Sequence, residues 1–503
     1  MNEQLKIGKL ITHLREQRHM TQGELAHTLQ TSQSAVARME RGEQNFSTEM
    51  LLKISDALHR EVITLASGAL NFQIEGGVRL SGTVRTNVSK NATVALMSAA
   101  LLNSQRTFLK DVPRIEEINR LIEVFTSIGI KVRWIEDTTL EIVPPKKVNL
   151  SGLNEVAFRK TRSAFMLLGP FVHMFSHFIL PRPGGCELGA RTIEPYIHAF
   201  RELGVQVKNT ERGYEFTVKK LKPGEIVMYE AGDTATECVL MAAARIPGTT
   251  IIKFASANYQ VQEVCFFLQE LGVRIEGIGT STLVVHGAPN LSRAIAYSPS
   301  EDPIESMLFL SIAATTNSSI MIERCPIDFL ELELLKLKVM GFKYKISKRY
   351  KAKNGFTNLV DIQTFPSKLT ALKDKIHSLP YPGINIDNLP LFAPIATQAQ
   401  GETLIHDWTY ENRAIYYTEL AKLGADVTLL DPHRVFIRGG RKLKPAEIIC
   451  PPALRPSVMI LVAMLAAPGV SVLRNVYPIE RGYEDICTRL QKLGAKIKIL
   501  KGI

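Results

Sequence analysis

An α/β body of six repeated units, preceded by a small all-α head, is the fold class this sequence predicts, and three observations predict it. A helix end, a glycine and an alternating strand recur at FTSIGIKVRW, FRELGVQVKN, LQELGVRIEG, LKVMGFKYKI, LAKLGADVTL and LQKLGAKIKI. Upstream of most copies a second helical stretch ends in a small turn and a strand, as in VLMAAARIPGTTIIKFA and MILVAMLAAPGVSVLRN. Before residue 66 the pattern is of another kind, short amphipathic helices with no such repeat.

The totals suit this division. A chain of 503 residues has room for two to four domains, and 45% hydrophobic with 22% charged residues is ordinary globular composition. The net charge is +12, yet residues 1–66 hold eight basic and eight acidic side chains, so the whole surplus lies in the body. Such a body suits anionic small substrates as readily as nucleic acid. The N-terminal MNEQLKIGKL is polar and lacks the apolar core of a secretory signal. The longest apolar run, Val458 to Pro468, is too short to cross a bilayer, so a cytoplasmic protein away from membranes is expected. Six cysteines, at 186, 238, 265, 325, 450 and 487, show no CxxC or Cys/His spacing. That argues against a zinc site and a disulfide framework and suits a reducing cytoplasm, and no cofactor is expected.

In the head, Leu10 and Leu14 give one apolar face, and TQGE places Thr21 as a cap with Glu24 three residues on. TSQSAVARMERGEQ starts at a second cap, Thr31 or Ser32, turns Val36 and Met39 inward and ends at Gly42. STEMLLKISDAL adds a further helix through Leu51, Leu52, Ile54 and Leu58. The stretch from LREQRHMTQGE to LLKISDAL resembles the phage-repressor (Xre-type) helix-turn-helix domain. The resemblance implies a recognition helix in Thr31–Arg41, with Gln33 facing an adenine edge. Gln22, Ser34, Arg38 and Arg41 would lie near bases or phosphates, and a homodimer through the head would match a two-fold site. A helical bundle serving dimerisation or partner binding is the other reading of a head with zero net charge.

ASGAL, residues 66–70, is a small-residue linker, and the six units follow. Their glycines, 129, 204, 272, 341, 424 and 494, are separated by 75, 68, 69, 83 and 70 residues. Each is expected to end a helix in the left-handed region, where a side chain is strained. Each unit is then a mixed α/β fold of about 70 residues.

RPGGCELGAR, residues 182–191, sets one cysteine behind two glycines. From the residues alone it is either a Pro-Gly turn ending in Cys, or an exposed thiol whose pKa is lowered by Arg182 and Arg191. With VSKNATVALMSAALL, KTRSAFMLLGPF, TYENR and ERGYE, this stretch carries a resemblance over residues 72–503 to the enolpyruvyl transferase family. The similarity is to the branch acting on UDP-N-acetylglucosamine, because the shikimate branch lacks the cysteine loop.

The resemblance implies a two-domain enolpyruvyl transferase fold, with domains at 72–89 plus 301–503 and at 90–300, three repeats each. Residues 1–66 form the separate head. The chain would cross between the two near Asn87–Lys90 and Ser298–Asp302. It further implies transfer of the enolpyruvyl group of phosphoenolpyruvate to the 3′-hydroxyl of UDP-N-acetylglucosamine, the first committed step of peptidoglycan synthesis. Lys90, Arg191 and Arg481, with Arg455 beside them, match the cations that hold phosphoenolpyruvate; arginine suits planar, bidentate anion contact. Cys186 matches the proton donor or covalent partner on a loop that its glycines allow to move. Asp387, in PGINIDNLP, matches the carboxylate at the reacting hydroxyl. Asn91 and Arg162 match sugar and diphosphate contacts, Glu194 keeps an acid near the uridine, and Thr409, Glu411, Asn412 and Arg413 match the active-site turn.

Three stretches depart from the family pattern. Ala453 stands in PPALRPS where an acidic residue is usual, two before Arg455. TIEPY follows Arg191 in place of the usual nucleotide-contacting sequence. Gly232 and Asp233 alter a second nucleotide loop. Two functions are therefore expected in competition: the transferase itself, and a DNA-binding regulator that uses a weakened transferase body as a sensor of nucleotide sugar or phosphoenolpyruvate.

Overall fold

The computed structural model describes residues 20–43, 70–184 and 192–500, together with Gly8, Ile11, Thr12, Arg15, Glu16, Met50, Lys53 and Ile54. The chain divides into two compact units, residues 1–71 with 499–503, and residues 72–498.

In the head, Gln22–Thr28 and Gln33–Glu40 are helices. Thr21 and Glu24 form the expected reciprocal box: Glu24 N–H donates to Thr21 Oγ1 at 3.2 Å, and Thr21 N–H to Glu24 Oε2 at 2.6 Å. Ser32 is the second cap, accepting from Ala35 N–H. Val36 and Met39 pack with Ile11, Leu25, Leu29 and Ile54 in a small apolar core. Leu10, Leu14, Leu51, Leu52 and Leu58, expected in that core, lie outside the described residues, as do residues 66–69 of the linker.

The body contains six sheets among its described residues, one for each predicted unit. Five of them join a parallel strand pair to an antiparallel pair. In the sheet around Gly248–Lys253, for instance, Glu225–Val227 runs parallel and Thr282–Gly287 antiparallel. All six repeat glycines have φ between +81° and +102°, the left-handed helix ends the pattern predicts. Three central helices are mainly apolar and buried on every side: Ala92 to Ala99, all of Pro303–Thr315, and Leu454 to Leu465 are buried. The apolar run after Val458 belongs to the last of these. Among the described residues no helix is long and apolar enough to cross a membrane.

The sheets sort into two lobes by which strands pair. Strands from Thr107 to Tyr297 pair only among themselves, around one core running from Val94 to Tyr297. Asn71–Gly76 and Ser81–Arg85 instead join strands of the C-terminal part, against Gly469–Arg474 and Ser319–Pro326. Ser81–Arg85 thus lies in the sheet that follows helix Pro303–Thr315, and Ile295–Tyr297 lies beside Thr107–Leu109, in the sheet that follows helix Lys90–Ala99. No described strand of one lobe pairs with a strand of the other. The two crossing segments run side by side, with Val88 bridged to Glu301, Ser89 N–H on Ser300 O at 2.9 Å and Asp302 N–H on Asn87 O at 2.8 Å.

The repeat glycines differ in what surrounds them. A Cβ on Gly129 would meet nothing within 4 Å, whereas one on Gly204 would lie 2.2 Å from the Lys220 carbonyl oxygen. Gly129→Ala should cost only the left-handed conformation, about 1–2 kcal/mol. Gly204→Ala should lower the thermal midpoint further, since backbone must also shift; equal drops in a melting comparison would refute the distinction.

Candidate active site

A cleft of about 730 Å³ takes its walls from both lobes. Helix Lys90–Ala99 begins at its edge, capped by Ser89, so Lys90 and Asn91 line the cleft at the helix N-terminus. Helix Leu454–Ala466 brings Arg455 in its first turn from the other lobe. Two helix N-termini, a lysine and an arginine make that end of the cleft a place for an anion.

Asp387 meets Arg455 there. Arg455 donates from Nε and Nη2 to Asp387 Oδ2 at 3.1 and 2.9 Å, and from Nη1 to Tyr483 Oη at 2.7 Å. Burial works against the Asp387 charge, but Arg455, then Arg413 and Lys90, outweigh it and hold the carboxyl below its ordinary value. The loop carrying it is fixed from behind. Asp387 N–H donates to Asn385 Oδ1, while Asn385 N–H and the Asn388 amide both reach the buried Glu333 carboxylate.

Glu117 forms a second centre that sequence reasoning missed. It is buried, accepts from Thr161 Oγ1 and from Ser163 Oγ, the latter at 2.8 Å, and lies 3.4 Å from Arg481 Nε. Burial again opposes its charge, and Lys90 and Arg481 together hold its pKa down. One carboxylate thus gathers a cation from each lobe. In EEINRLIEVF it reads only as helix N-terminal charge, and no local signal ties it to Lys90. Asp302 is similar: its place before Pro303 marks a helix cap, but only the fold sets it near Arg455. There burial pushes its pKa up to about 6 despite Arg455.

Arg413 lines the cleft, yet its guanidinium is held elsewhere. Nε and Nη2 bind the two oxygens of Asp407 at 2.6 and 2.8 Å, and Nη2 also donates to Ile386 O at 2.9 Å. Both partners are essentially inaccessible, and Tyr417 Oη donates to the same carboxylate. Arg413 thus lines the cleft and also fixes the backbone beside Asp387. Asp407, missed by sequence reasoning, is its counter-ion. Thr409 lines the cleft with its hydroxyl 3.4 Å from Ser378 Oγ, and Glu411 lines it too, but Asn412 does not.

On the opposite wall, Asn91 donates to Tyr259 Oη at 3.0 Å, and Arg162 stands beside Tyr196. Asp233, one of the altered positions, lines the cleft and is held by Ser256 and Asn258; burial raises its pKa. Glu194 stands apart from these residues. At the first position of helix Glu194–Glu202 it faces His198 one turn on, 3.6 Å away, and does not line the cleft. Cys186 and Arg191 lie outside the described residues. Gly184, expected to give the cysteine loop freedom, has a packing reason instead: a Cβ there would fall 1.6 Å from the Arg159 carbonyl oxygen.

These geometries stand beside clear likenesses to known proteins. The sequence profile of EPSP synthase (3-phosphoshikimate 1-carboxyvinyltransferase) matches residues 74–500, and a helix-turn-helix profile matches residues 11–64. The chain is 32% identical over 434 residues to the UDP-N-acetylglucosamine 1-carboxyvinyltransferase of Treponema denticola, covering 85% of this chain and 98% of that one. The enzyme of the same name from Bradyrhizobium diazoefficiens is likewise 32% identical, over 429 residues, with 85% and 98% covered. The chain belongs to the enolpyruvyl transferases.

The crystal structure of the enolpyruvyl transferase NikO from Streptomyces tendae superposes with a TM-score of 0.74 at 25% identity, covering 87% of this chain and all of that one. EPSP synthase from Acinetobacter baumannii shares the fold, with a TM-score of 0.67 at 18% identity, covering 86% of this chain and all of that one. This transferase carries a helix-turn-helix head as well, and its two described helices show what the expected DNA residues do. Gln33, Ser34 and Arg38 are exposed on the second helix. Gln22 instead donates to Glu40 Oε2 at 2.7 Å, in a buried cluster with Arg15. Arg41 is paired twice with Glu43, at 2.9 Å each. Both are occupied within the head.

Breaking the Arg413–Asp407 pair should be costly, because it leaves a buried cation without its counter-charge. Asp407→Asn is expected to destabilise the transferase body by about 3–5 kcal/mol in urea unfolding. A loss under 1 kcal/mol would mean that Arg413 finds water or another acceptor.

Proposed function

We propose that the body transfers the enolpyruvyl group of phosphoenolpyruvate to the 3′-hydroxyl of UDP-N-acetylglucosamine, with release of phosphate. The observation that carries this reading is the convergence of Lys90 and Arg481 on Glu117 and of Arg455 on Asp387, with cations from both lobes at one cleft. The phosphate and carboxylate of phosphoenolpyruvate need such a set, and Arg191 adds to it by family resemblance. In the addition step the sugar oxygen bonds to the central carbon of phosphoenolpyruvate, and its proton passes to Asp387. A proton is delivered to the methylene carbon, the role assigned by resemblance to Cys186. Loss of that methylene proton and of phosphate then restores the double bond. An anion arriving at Arg455 competes with Asp387 for the guanidinium, which raises the carboxyl pKa and makes Asp387 a better base when substrate is present.

Ala453 bears on rate. It is the N-cap of helix Leu454–Ala466, buried on the cleft wall, and supplies no side-chain cap. An acid here would cap the helix and place a second carboxylate beside Arg455.

The head supports a second role. We propose that it binds DNA as a dimer through Gln33, Ser34 and Arg38, with Arg41 joining once released from Glu43. The regulator reading, in which a slow transferase body senses its substrates, rests on this head together with Ala453. We further propose that the body's lobes divide at residues 72–89 plus 301–503 and at 90–300, in keeping with the strand pairing.

Two measurements separate these readings. Phosphate release from phosphoenolpyruvate and UDP-N-acetylglucosamine should be slower than full transferase turnover by about 10²–10⁴, and Ala453→Asp should raise it. Full turnover in the parent would remove the main support for a sensor. No turnover in either protein, with neither substrate bound, would overturn the transferase reading. For the head, Glu43→Ala should free Arg41 for a phosphate, strengthening binding to all duplexes and steepening the salt dependence by about 0.9 in log–log slope. An unchanged slope in fluorescence anisotropy would show that Arg41 does not reach DNA.

A further inference from the structure

The longest glycine spacing, 83 residues between Gly341 and Gly424, has a structural counterpart. In four other units the two strands after the glycine are joined by residues 135–139, 211–212, 277–281 and 432–433, two to five residues each. In the unit of Gly341 the connection is residues 347–357, eleven residues long.

This connection is an ordered hairpin. Tyr350 and Lys351 pair with Leu359 and Asn358, and Ala352 N–H donates to Thr357 O at 2.9 Å. Gly355 turns the tip with φ +79°. Asn354 Oδ1 accepts from Phe356 and Thr357 N–H at 3.0 and 3.1 Å, so the tip is stiff before it touches anything else. Tyr350 Oη anchors the base on Asp361 at 2.6 Å.

The tip reaches the other lobe at three places. Asn354 Nδ2 donates to both Glu263 oxygens at 3.1 Å. The Phe356 ring stacks on Phe266, centroids 4.4 Å apart and planes 4° from parallel. Lys353 Nζ meets the two Asp111 oxygens at 2.7 and 2.8 Å. Glu263 also accepts from Tyr297 Oη at 2.8 Å and Ser300 N–H at 3.2 Å, groups at the second crossing segment. Burial pushes the Glu263 carboxyl up to about 7, and donors from both the tip and the crossing segment oppose that rise.

We infer that the 347–357 hairpin is a brace across the junction of the lobes, tying the tip to the crossing segment through Glu263 and restricting how far the cleft opens. The crossing segments are the covalent links about which the lobes can rotate. A contact placed beside them, built from one neutral hydrogen-bonded group, one ring stack and one ion pair, limits that rotation without entering the cleft. Neither Asn354, Phe356 nor Lys353 lines the cleft, so their loss leaves the chemistry intact.

The test is the distance distribution between spin labels on the two lobes, at the exposed Lys160 and Lys373. They are introduced in the full chain as non-natural side chains, so that Cys186 is untouched. Without substrate, Lys353→Ala/Asn354→Ala/Phe356→Ala is expected to at least double the width of the distribution seen in the parent. Phe356→Ala alone, which leaves Glu263 fully hydrogen-bonded, should give a smaller broadening. An unchanged distribution in a triple variant with parental circular dichroism would overturn the brace. Should the triple variant not fold, an unchanged distribution in Phe356→Ala would overturn it instead.

Discussion

The short ladder between the two crossing segments is the constraint on which the site depends. Val88 faces Glu301, and two backbone hydrogen bonds tie Ser89 to Ser300 and Asp302 to Asn87. Because one lobe takes strands from both before and after the other, the chain must cross twice, and the two crossings hydrogen-bond each other's backbone. Helices Lys90–Ala99 and Pro303–Thr315 both start directly after this ladder. Lys90 and Asp302 therefore sit at one junction although more than two hundred residues separate them. Arg455 acts on Asp302 at that point, together with Lys90.

The cleft holds its charges in networks that reach across the lobes. Glu117 lies between Lys90 and Arg481, and Asp387 is paired with Arg455 and influenced by Arg413 and Lys90. Such pairs hold the cations oriented, and on the proposed reading an incoming phosphate or carboxylate replaces the internal acid. The fully enclosed Arg413–Asp407 pair is of a different type. It holds the Ile386 carbonyl next to Asp387, and its charge also helps keep that carboxyl ionised.

The head shows the same distinction on a smaller scale. Gln22 and Arg41 have the chemistry for DNA contact, and the sequence pattern assigned them to it. The fold gives Gln22 to the Arg15–Glu40 cluster and Arg41 to Glu43, because neighbouring acids compete for the same donors. Gln33, Ser34 and Arg38 are left exposed on one helix.

By itself the sequence determined what is periodic and local. Six glycines with helix before and strand after predicted six units and their left-handed helix ends, and Thr21–Glu24 predicted a capping box, since each depends on residues within a turn of one another. The motifs likewise placed Lys90, Asn91, Arg162, Asp387, Arg455 and Arg481 at one cleft. Only the tertiary structure decided which cation each acid faces: Glu117 with Lys90 and Arg481, Asp407 with Arg413, and Glu194 turned to His198. It alone placed the 347–357 hairpin against Glu263. These pairings join residues tens to hundreds of positions apart, or turn on which side of a helix a group points. Coulomb and hydrogen-bond energies depend on separation in space, which the order of residues along the chain does not encode.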